Sequence, residues 1–272
     1  QYRGFARQTG NCRRSRSLGA KMACSGKKLL SRAGFFSRRY LAFLGQLAGF
    51  NQRRCRNCLS PFVPADQFDE ICPDCQKSFA PYRGPVCPCC GDPSIPILCE
   101  GCANGRSWDA HAFHGLYDGH LRDMIRRFKY DGEITLAPYL AGLLLEAACC
   151  LPRADALVPL PQYLPHLSRR GFNQAHEIAR HLARESGIRL EAGLLRRIRH
   201  NRAQASLDRK ERMRNVAGNF EADGNAAGKS VWLVDDVMTT GSTFEAACGA
   251  LKAAGCASVS ILFVARTPLW HD

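Results

Sequence analysis

The chain has 272 residues, 46% of them apolar, and a formal net charge of +14. That is enough length and apolar content for one large or two modest domains with real cores. The charge invites a nucleic-acid reading, but residues 1–54 carry thirteen Lys/Arg and no Asp or Glu. With 38 basic and 24 acidic residues in all, the remainder nets only +1, so the basicity belongs to the tail.

Taken in chain order, the tail comes first. Arg13, Arg14, Arg16, Lys27, Lys28, Arg38 and Arg39 would attract any polyanion. Met22 stands as a candidate start, so residues 1–21 are not expected to carry fold. Leu30 to Phe50 is expected to form an amphipathic helix. The N-terminus lacks an apolar core and a small-residue cleavage site, so no secretory signal is expected. The most apolar run, Leu136 to Leu151, contains Pro138 and Glu146 and is too short to cross a bilayer. A soluble, cytoplasmic protein without membrane insertion is the expectation.

Nine of the fifteen cysteines lie between Cys55 and Cys102. They form the pairs Cys55/Cys58, Cys72/Cys75, Cys87/Cys90 and Cys99/Cys102, with Cys89 left over. Each Cys-x-x-Cys pair can form a knuckle that aims two thiolates at one ion, and two knuckles complete a tetrahedral Zn²⁺ site. A disulfide scaffold does not suit a reducing compartment. An iron–sulfur cluster is the alternative metal, but four paired knuckles favour zinc ribbons. Spacing leaves the partnering open: 55/58 with 72/75 is simplest, and interleaving also satisfies it. A full Cys₄ shell has no open position for substrate, so these sites read as structural. The segment is too short for a good core of its own, and metal is expected to supply its folding energy.

Beyond the cysteines, Trp108–Tyr117 has strand character and Leu121–Tyr130 is helical, with Leu121, Ile125 and Phe128 on one face. Asp131-Gly132 is a turn, Ile134–Cys150 a second helix and Ala156–Leu160 a short buried strand. Ser168-Arg169-Arg170-Gly171-Phe172-Asn173-Gln174-Ala175 opens a helix that runs to about Ser186. Two arginines and a glycine at a strand-to-helix junction form a candidate anion site, or else an exposed basic turn. Ile188–Ile198 reads as strand with a turn. Arg199–Asn219 is polar and basic, without an apolar stripe, which suggests a functional lid or a disordered connection. Gly224-x-x-x-Gly228-Lys229-Ser230 is one residue short of a P-loop and precedes a strand, so it is set aside.

The last stretch is the most informative. Val231-Trp232-Leu233-Val234 is an apolar run without alternation, as expected for a central parallel strand. Asp235 and Asp236 stand where that strand is expected to end. Thr239, Thr240, Gly241, Ser242 and Thr243 follow, and Phe244–Ala254 reads as a helix stopped by Gly255. Ser242 and Glu245 have capping-box spacing. The loop offers backbone N–H groups, hydroxyls and the positive end of a helix dipole, which together suit phosphate. The two carboxylates would repel phosphate but suit a vicinal diol, so a 5-phosphorylated ribose fits both features. The alternative is a plain Asp-Asp turn capping a helix.

This stretch closely resembles the phosphoribosyl pyrophosphate (PRPP) motif of type I phosphoribosyltransferases. The whole chain from Cys55 to Arg266 resembles the ComF family of competence proteins. The resemblance is carried by the cysteine knuckles ending in Cys87-Pro88-x-Cys90-Gly91, by Phe128-Lys129-Tyr130-Asp131-Gly132, by Pro159-Leu160-Pro161 with Arg169 to Ala175, and by the Asp235-Asp236 motif. Gln204, Leu207, Arg212 and Asn215 look like the family's polar loop. The expected architecture is α/β: a type I phosphoribosyltransferase-like parallel sheet flanked by helices, preceded by a small cysteine-rich zinc-ribbon module. The expected divisions are a basic tail over 1–54, the ribbon over 55–106 and the phosphoribosyltransferase-like domain over 107–272, each of the last two with its own core.

The resemblance further implies a role in DNA uptake and natural transformation. Asp235 and Asp236 would hold the ribose hydroxyls, and Thr239 to Thr243 the 5-phosphate. Arg169 and Arg170, with Lys129 and Arg212 as further candidates, would assist Mg²⁺ in stabilising the departing pyrophosphate. The competing hypothesis is a non-catalytic PRPP-binding competence factor that contacts single-stranded DNA or a helicase-like ATPase.

Overall fold

The structure is a computed structural model that describes residues 52–65, 70–94, 97–163, 167–168, 171–198 and 218–268. The expected helix over Leu30–Phe50 and most of the Arg199–Asn219 connection lie outside the described residues. The chain divides into two compact units, one with residues 1–54 and 61–70, the other with 55–60 and 71–272. In the first, β1 (Arg53–Arg54) pairs antiparallel with β2 (Pro61–Phe62). The second unit holds everything that follows.

Its centre is a five-stranded parallel sheet in the order β3-β9-β8-β4-β5. The strands are β3 (Ala110–Leu116), β4 (Ala156–Pro159), β5 (Arg189–Leu190), β8 (Ser230–Met238) and β9 (Ser258–Arg266). In β9, and in β8 from Val231 to Val234, the apolar residues are buried in succession, which is why these runs do not alternate. A separate hairpin pairs β6 (Leu195–Arg197) antiparallel with β7 (Phe220–Ala222).

The helices obey local signals. After the short α1 (Pro73–Ser78), helix α2 (Gly119–Tyr130) starts at Asp118, whose carboxylate accepts from the Gly119 N–H at 2.7 Å. The expected helix over Ile134–Cys150 is helical throughout but not uniform. A 3₁₀ turn leads into α3 (Ala137–Ala147), and another ends it at Cys150. Pro138 sits in the first turn, where its missing N–H has no partner to lose. Helix α4 (Gln174–Ser186) is capped by Asn173 and ends at Gly187 in the left-handed region. Helix α5 (Ser242–Ala253) follows β8. Among the described residues no helix is long and apolar enough to cross a membrane.

One buried cluster joins Val231, Leu233, Ile261 and Phe263 of the sheet to Ala247, Cys248 and Leu251 of α5. The same cluster contains Cys87, Cys90, Cys99, Cys102 and Trp108. The second cysteine group therefore shares the core of the sheet. The cysteine-rich segment is too small to bury much alone, and it gains burial by lying on the sheet. It also covers the sheet's edge: the Tyr82 N–H donates to the His114 carbonyl at 2.7 Å, and His114 Nε2 lies 2.6 Å from the Phe79 carbonyl.

Phe263 stacks on Phe113 at 5.4 Å and meets Phe244 at 5.8 Å, with no exposure to water. Phe263→Ala is expected to destabilise the protein by about 3–5 kcal/mol. Urea unfolding measures this; a loss under about 1 kcal/mol would contradict the packing described.

Candidate functional site

Strand β8 does not stop before the acids; it runs through Asp235 and Asp236 to Met238. The reason is pairing: Asp235 and Met238 are still in register with Phe263 and Arg266 of β9. Asp236 is buried, and its Oδ1 lies 2.9 Å from Lys129 Nζ on the last turn of α2. Its Oδ2 is buried without a hydrogen-bond partner. A buried acceptor left unsatisfied is costly, and a ligand hydroxyl would satisfy it.

The charges are mutually adjusted. Burial opposes the charge on Lys129, but the fields of Asp236 and Asp235 outweigh it and hold the ammonium above its usual range. Burial, then the neighbouring Asp236, pushes the Asp235 carboxyl up to about 8, against the opposing pull of Lys129. Arg197, on β6, feels burial first, which lowers it, and then the field of Asp235, which raises it. Its Nε is buried without a partner, and its guanidinium lies 5.4 Å from the Phe220 ring centre. Nothing in the sequence marked Arg197, because its relation to Asp235 crosses from hairpin to sheet.

The loop Thr239–Gly241 links β8 to α5. Gly241 has φ 78°, and a Cβ there would stand 2.6 Å from Met238 Cε and 3.3 Å from the Trp108 ring. Glycine is required on both counts. Thr240 Oγ1 and Ser242 Oγ lie 3.0 Å apart on the exposed side of the loop, and the Ser242 N–H points at Thr240 Oγ1 at 3.4 Å. Thr243 occupies the first turn of α5. The expected capping box does not form. The Glu245 carboxylate instead accepts from the Ser107 N–H at 3.1 Å and Oγ at 2.6 Å, and lies 3.6 Å from Arg106 Nη1. That leaves the start of α5 uncapped by its own side chains, as an anion-binding helix end needs.

Asp235, Asp236, Lys129 and the loop are thus brought to one end of β8. Arg169, Arg170 and Arg212 lie outside the described residues. Phe172 packs on Phe128 of α2 at 5.4 Å, so the chain just after Arg170 and Gly171 is anchored to the helix that carries Lys129.

The eight paired cysteines converge in two groups, Cys55/Cys58/Cys72/Cys75 and Cys87/Cys90/Cys99/Cys102. The simplest partnering is the one adopted. Within each group the sulfurs lie within 4.8 Å of one another. Cys58 and Cys72 sulfurs stand 3.7 Å apart, and Cys90 and Cys99 sulfurs 3.8 Å. A tetrahedron with 2.3 Å zinc–sulfur arms has edges of about 3.8 Å, whereas a disulfide needs about 2.05 Å. Amides also point at the sulfurs: the N–H groups of Asn57 and Cys72 reach Cys55 Sγ at 3.3 Å each. Burial pushes the Cys75 thiol up to about 12, so four thiolates gathered here need a cation among them. Both groups fit structural zinc.

Comparison with known proteins agrees with this geometry. Residues 167–268 match the phosphoribosyl transferase domain family. Competence protein F of Haemophilus influenzae is 29% identical over 81% of this chain and 100% of its own. Competence protein ComFC of Bacillus subtilis is 27% identical, covering 73% of this chain and 85% of its own. Over most of its length the chain is similar to the competence proteins F and ComFC. The DNA utilization protein YhgH of Escherichia coli K12 is also similar, at 27% identity over 72% of this chain and 90% of that protein. Among solved structures, the glutamine PRPP amidotransferase of B. subtilis aligns at 22% identity with a TM-score of 0.34, over 47% of this chain and 26% of that one.

The Asp235 environment and the two cysteine groups each carry an expected outcome. An aspartate ionises near 3.8 when unfolded and Asp235 near 8 when folded. Between those values the folded state binds the extra proton, so this group makes stability fall as pH rises. Asp235→Asn should remove that component, giving a flatter stability profile between pH 4 and 8 than the parent. Unfolding midpoints across that range measure it, and parallel profiles would contradict the assignment. Metal analysis of purified protein should find a zinc ion for each of the two groups, and Cys55→Ser should leave only one. Zinc-free protein that is folded would overturn the metal assignment.

Proposed function

We propose that this chain binds PRPP at the end of β8 and transfers its phosphoribosyl group to an acceptor, and that it does so in DNA uptake during competence, the state for which its relatives are named. The observation that carries this is a single juxtaposition. A buried carboxylate with an unused oxygen, Asp236, stands next to a hydroxyl-lined loop whose glycine opens a helix N-terminus.

In this proposal the 5-phosphate lies against the N–H groups and hydroxyls of Thr239 to Thr243. One ribose hydroxyl donates to Asp236 Oδ2 while Lys129 keeps Oδ1. The second donates to Asp235 once that group has ionised. The bond from ribose C1 to pyrophosphate breaks, its electron pair leaves with pyrophosphate, and an acceptor lone pair takes the C1 position while the acceptor's proton passes to solvent. Arg169, Arg170 and Arg212 are proposed to face the pyrophosphate charge. Mg²⁺ is proposed to enter with the substrate, held chiefly by its phosphate oxygens and water, as this ion commonly is. Single-stranded DNA attraction by the basic tail over 1–54 completes the proposal, and its salt dependence would identify phosphate contacts.

Mg-PRPP should stabilise the folded protein by about 2.7 kcal/mol at a hundredfold excess over Kd. Asp235→Asn combined with Asp236→Asn should fold, keep zinc and lose that thermal shift. Thr240→Val should lose binding of ribose 5-phosphate as well. Unchanged PRPP binding in the double Asn variant would refute the ribose assignment. Product analysis with PRPP, Mg²⁺ and a panel of bases and amines separates the two readings of function. A phosphoribosylated product supports transfer; PRPP binding without any product supports the non-catalytic competence factor.

A further inference from the structure

We propose that Arg266 is a positioning residue that fixes the backbone of the ligand loop to the second cysteine group, so that the loop's anion-binding shape depends on the metal held by Cys87, Cys90, Cys99 and Cys102. The phosphate role of the loop rests on the function proposed above; the mechanical link does not.

Arg266 ends β9 and is 1% exposed. An arginine so buried is rare unless all its donors are used. Here Nε donates to the Cys90 carbonyl at 3.2 Å, inside the second group. Nη1 donates to the carbonyls of Met238 at 3.2 Å and Thr267 at 2.6 Å, and to that of Thr239. Nη2 lies 3.7 Å from Asp92, a fully buried carboxylate just after the Cys87–Gly91 knuckle. One planar fork therefore spans from the metal knuckle to the first residue of the loop.

The consequence for the loop follows from peptide geometry. In a trans peptide the carbonyl and the next N–H point in opposite directions. Drawing the Met238 and Thr239 carbonyls toward Arg266 turns the N–H groups of Thr239 and Thr240 away from it, free to meet an anion. Two other contacts reinforce the same link. Trp108, which lies against Gly241, donates from Nε1 to the Cys89 carbonyl at 2.7 Å. Arg106 stands 5.2 Å over the Trp108 ring, donates to Cys102 Sγ at 3.3 Å and faces Glu245 in the first turn of α5. The second group thus touches the loop at its start, at its glycine and at the helix beyond.

Arg266→Lys keeps the charge opposite Asp92 but is too narrow to bridge Cys90 and Thr239. The test uses the full chain and reads the backbone amide NMR signals of Thr239, Thr240 and Gly241 without ligand. Expected in Arg266→Lys are unchanged zinc content, unchanged β4 signals, and loop signals that shift toward unstructured positions. Cys99→Ser, which opens the second group, should do the same to the loop. Cys58→Ser, in the first group, should leave the loop signals in place. Affinity for ribose 5-phosphate should fall on the order of tenfold in Arg266→Lys, as loss of one or two carbonyl hydrogen bonds implies. Loop signals that stay at parental positions in Arg266→Lys, or that move equally in Cys58→Ser, overturn the proposal. If parental loop signals ignore ribose 5-phosphate yet still move in Arg266→Lys and Cys99→Ser, the link stands and the phosphate assignment falls.

Discussion

Two carboxylates on consecutive residues of a buried strand repel each other and resist leaving water, and a single lysine makes the pair tolerable. Lys129 stands 2.9 Å from Asp236 and acts on Asp235 as well. Its location dictates how α2 must dock, with the C-terminal turn of the helix over the end of β8. Arg127, two residues earlier, secures that turn. It makes two hydrogen bonds to Glu133, at 2.8 and 2.6 Å, and donates to the carbonyls of Asn57 at 2.6 Å and Arg56 at 2.5 Å. Those carbonyls belong to the Cys55–Cys58 knuckle. The first cysteine group thus braces the helix that supplies the site's lysine.

The second group stands closer still. Its sulfurs share a core with β8, β9 and α5, and Glu245 spends its carboxylate on Ser107 instead of on its own helix. Metal in these groups would therefore hold more than a ribbon. A small cysteine-rich segment has little apolar surface to bury, so it borrows a wall from the sheet and covers the sheet's exposed edge in return.

Much of this was legible in the residues. The unbroken apolar runs of β8 and β9 announced a doubly covered parallel sheet, and the pair spacing of the cysteines announced metal knuckles without saying which would partner. The Asp-Asp and Thr-Thr-Gly stretch marked the candidate site. What stayed hidden depends on partners distant in the chain. Glu245 looked like a capping residue because its spacing from Ser242 is local, while Ser107 is 138 residues away. Arg266 looked like the end of a strand, because Cys90 is 176 residues distant. Arg197 gave no signal, being one arginine among several in a basic stretch. Periodicity and spacing report what neighbours in sequence do; they are silent on which buried charge will meet which carbonyl across the fold.

The central claim is that one end of β8 holds a phosphorylated ribose, with its phosphate and its diol on different residues. A crystal structure of the zinc-loaded protein with ribose 5-phosphate tests this most directly. The account predicts phosphate oxygens within hydrogen-bond reach of the N–H groups and hydroxyls of Thr239 to Thr243, and ribose hydroxyls on Asp236 Oδ2 and Asp235. A ribose 5-phosphate bound elsewhere, or one whose hydroxyls avoid both aspartates, would contradict it.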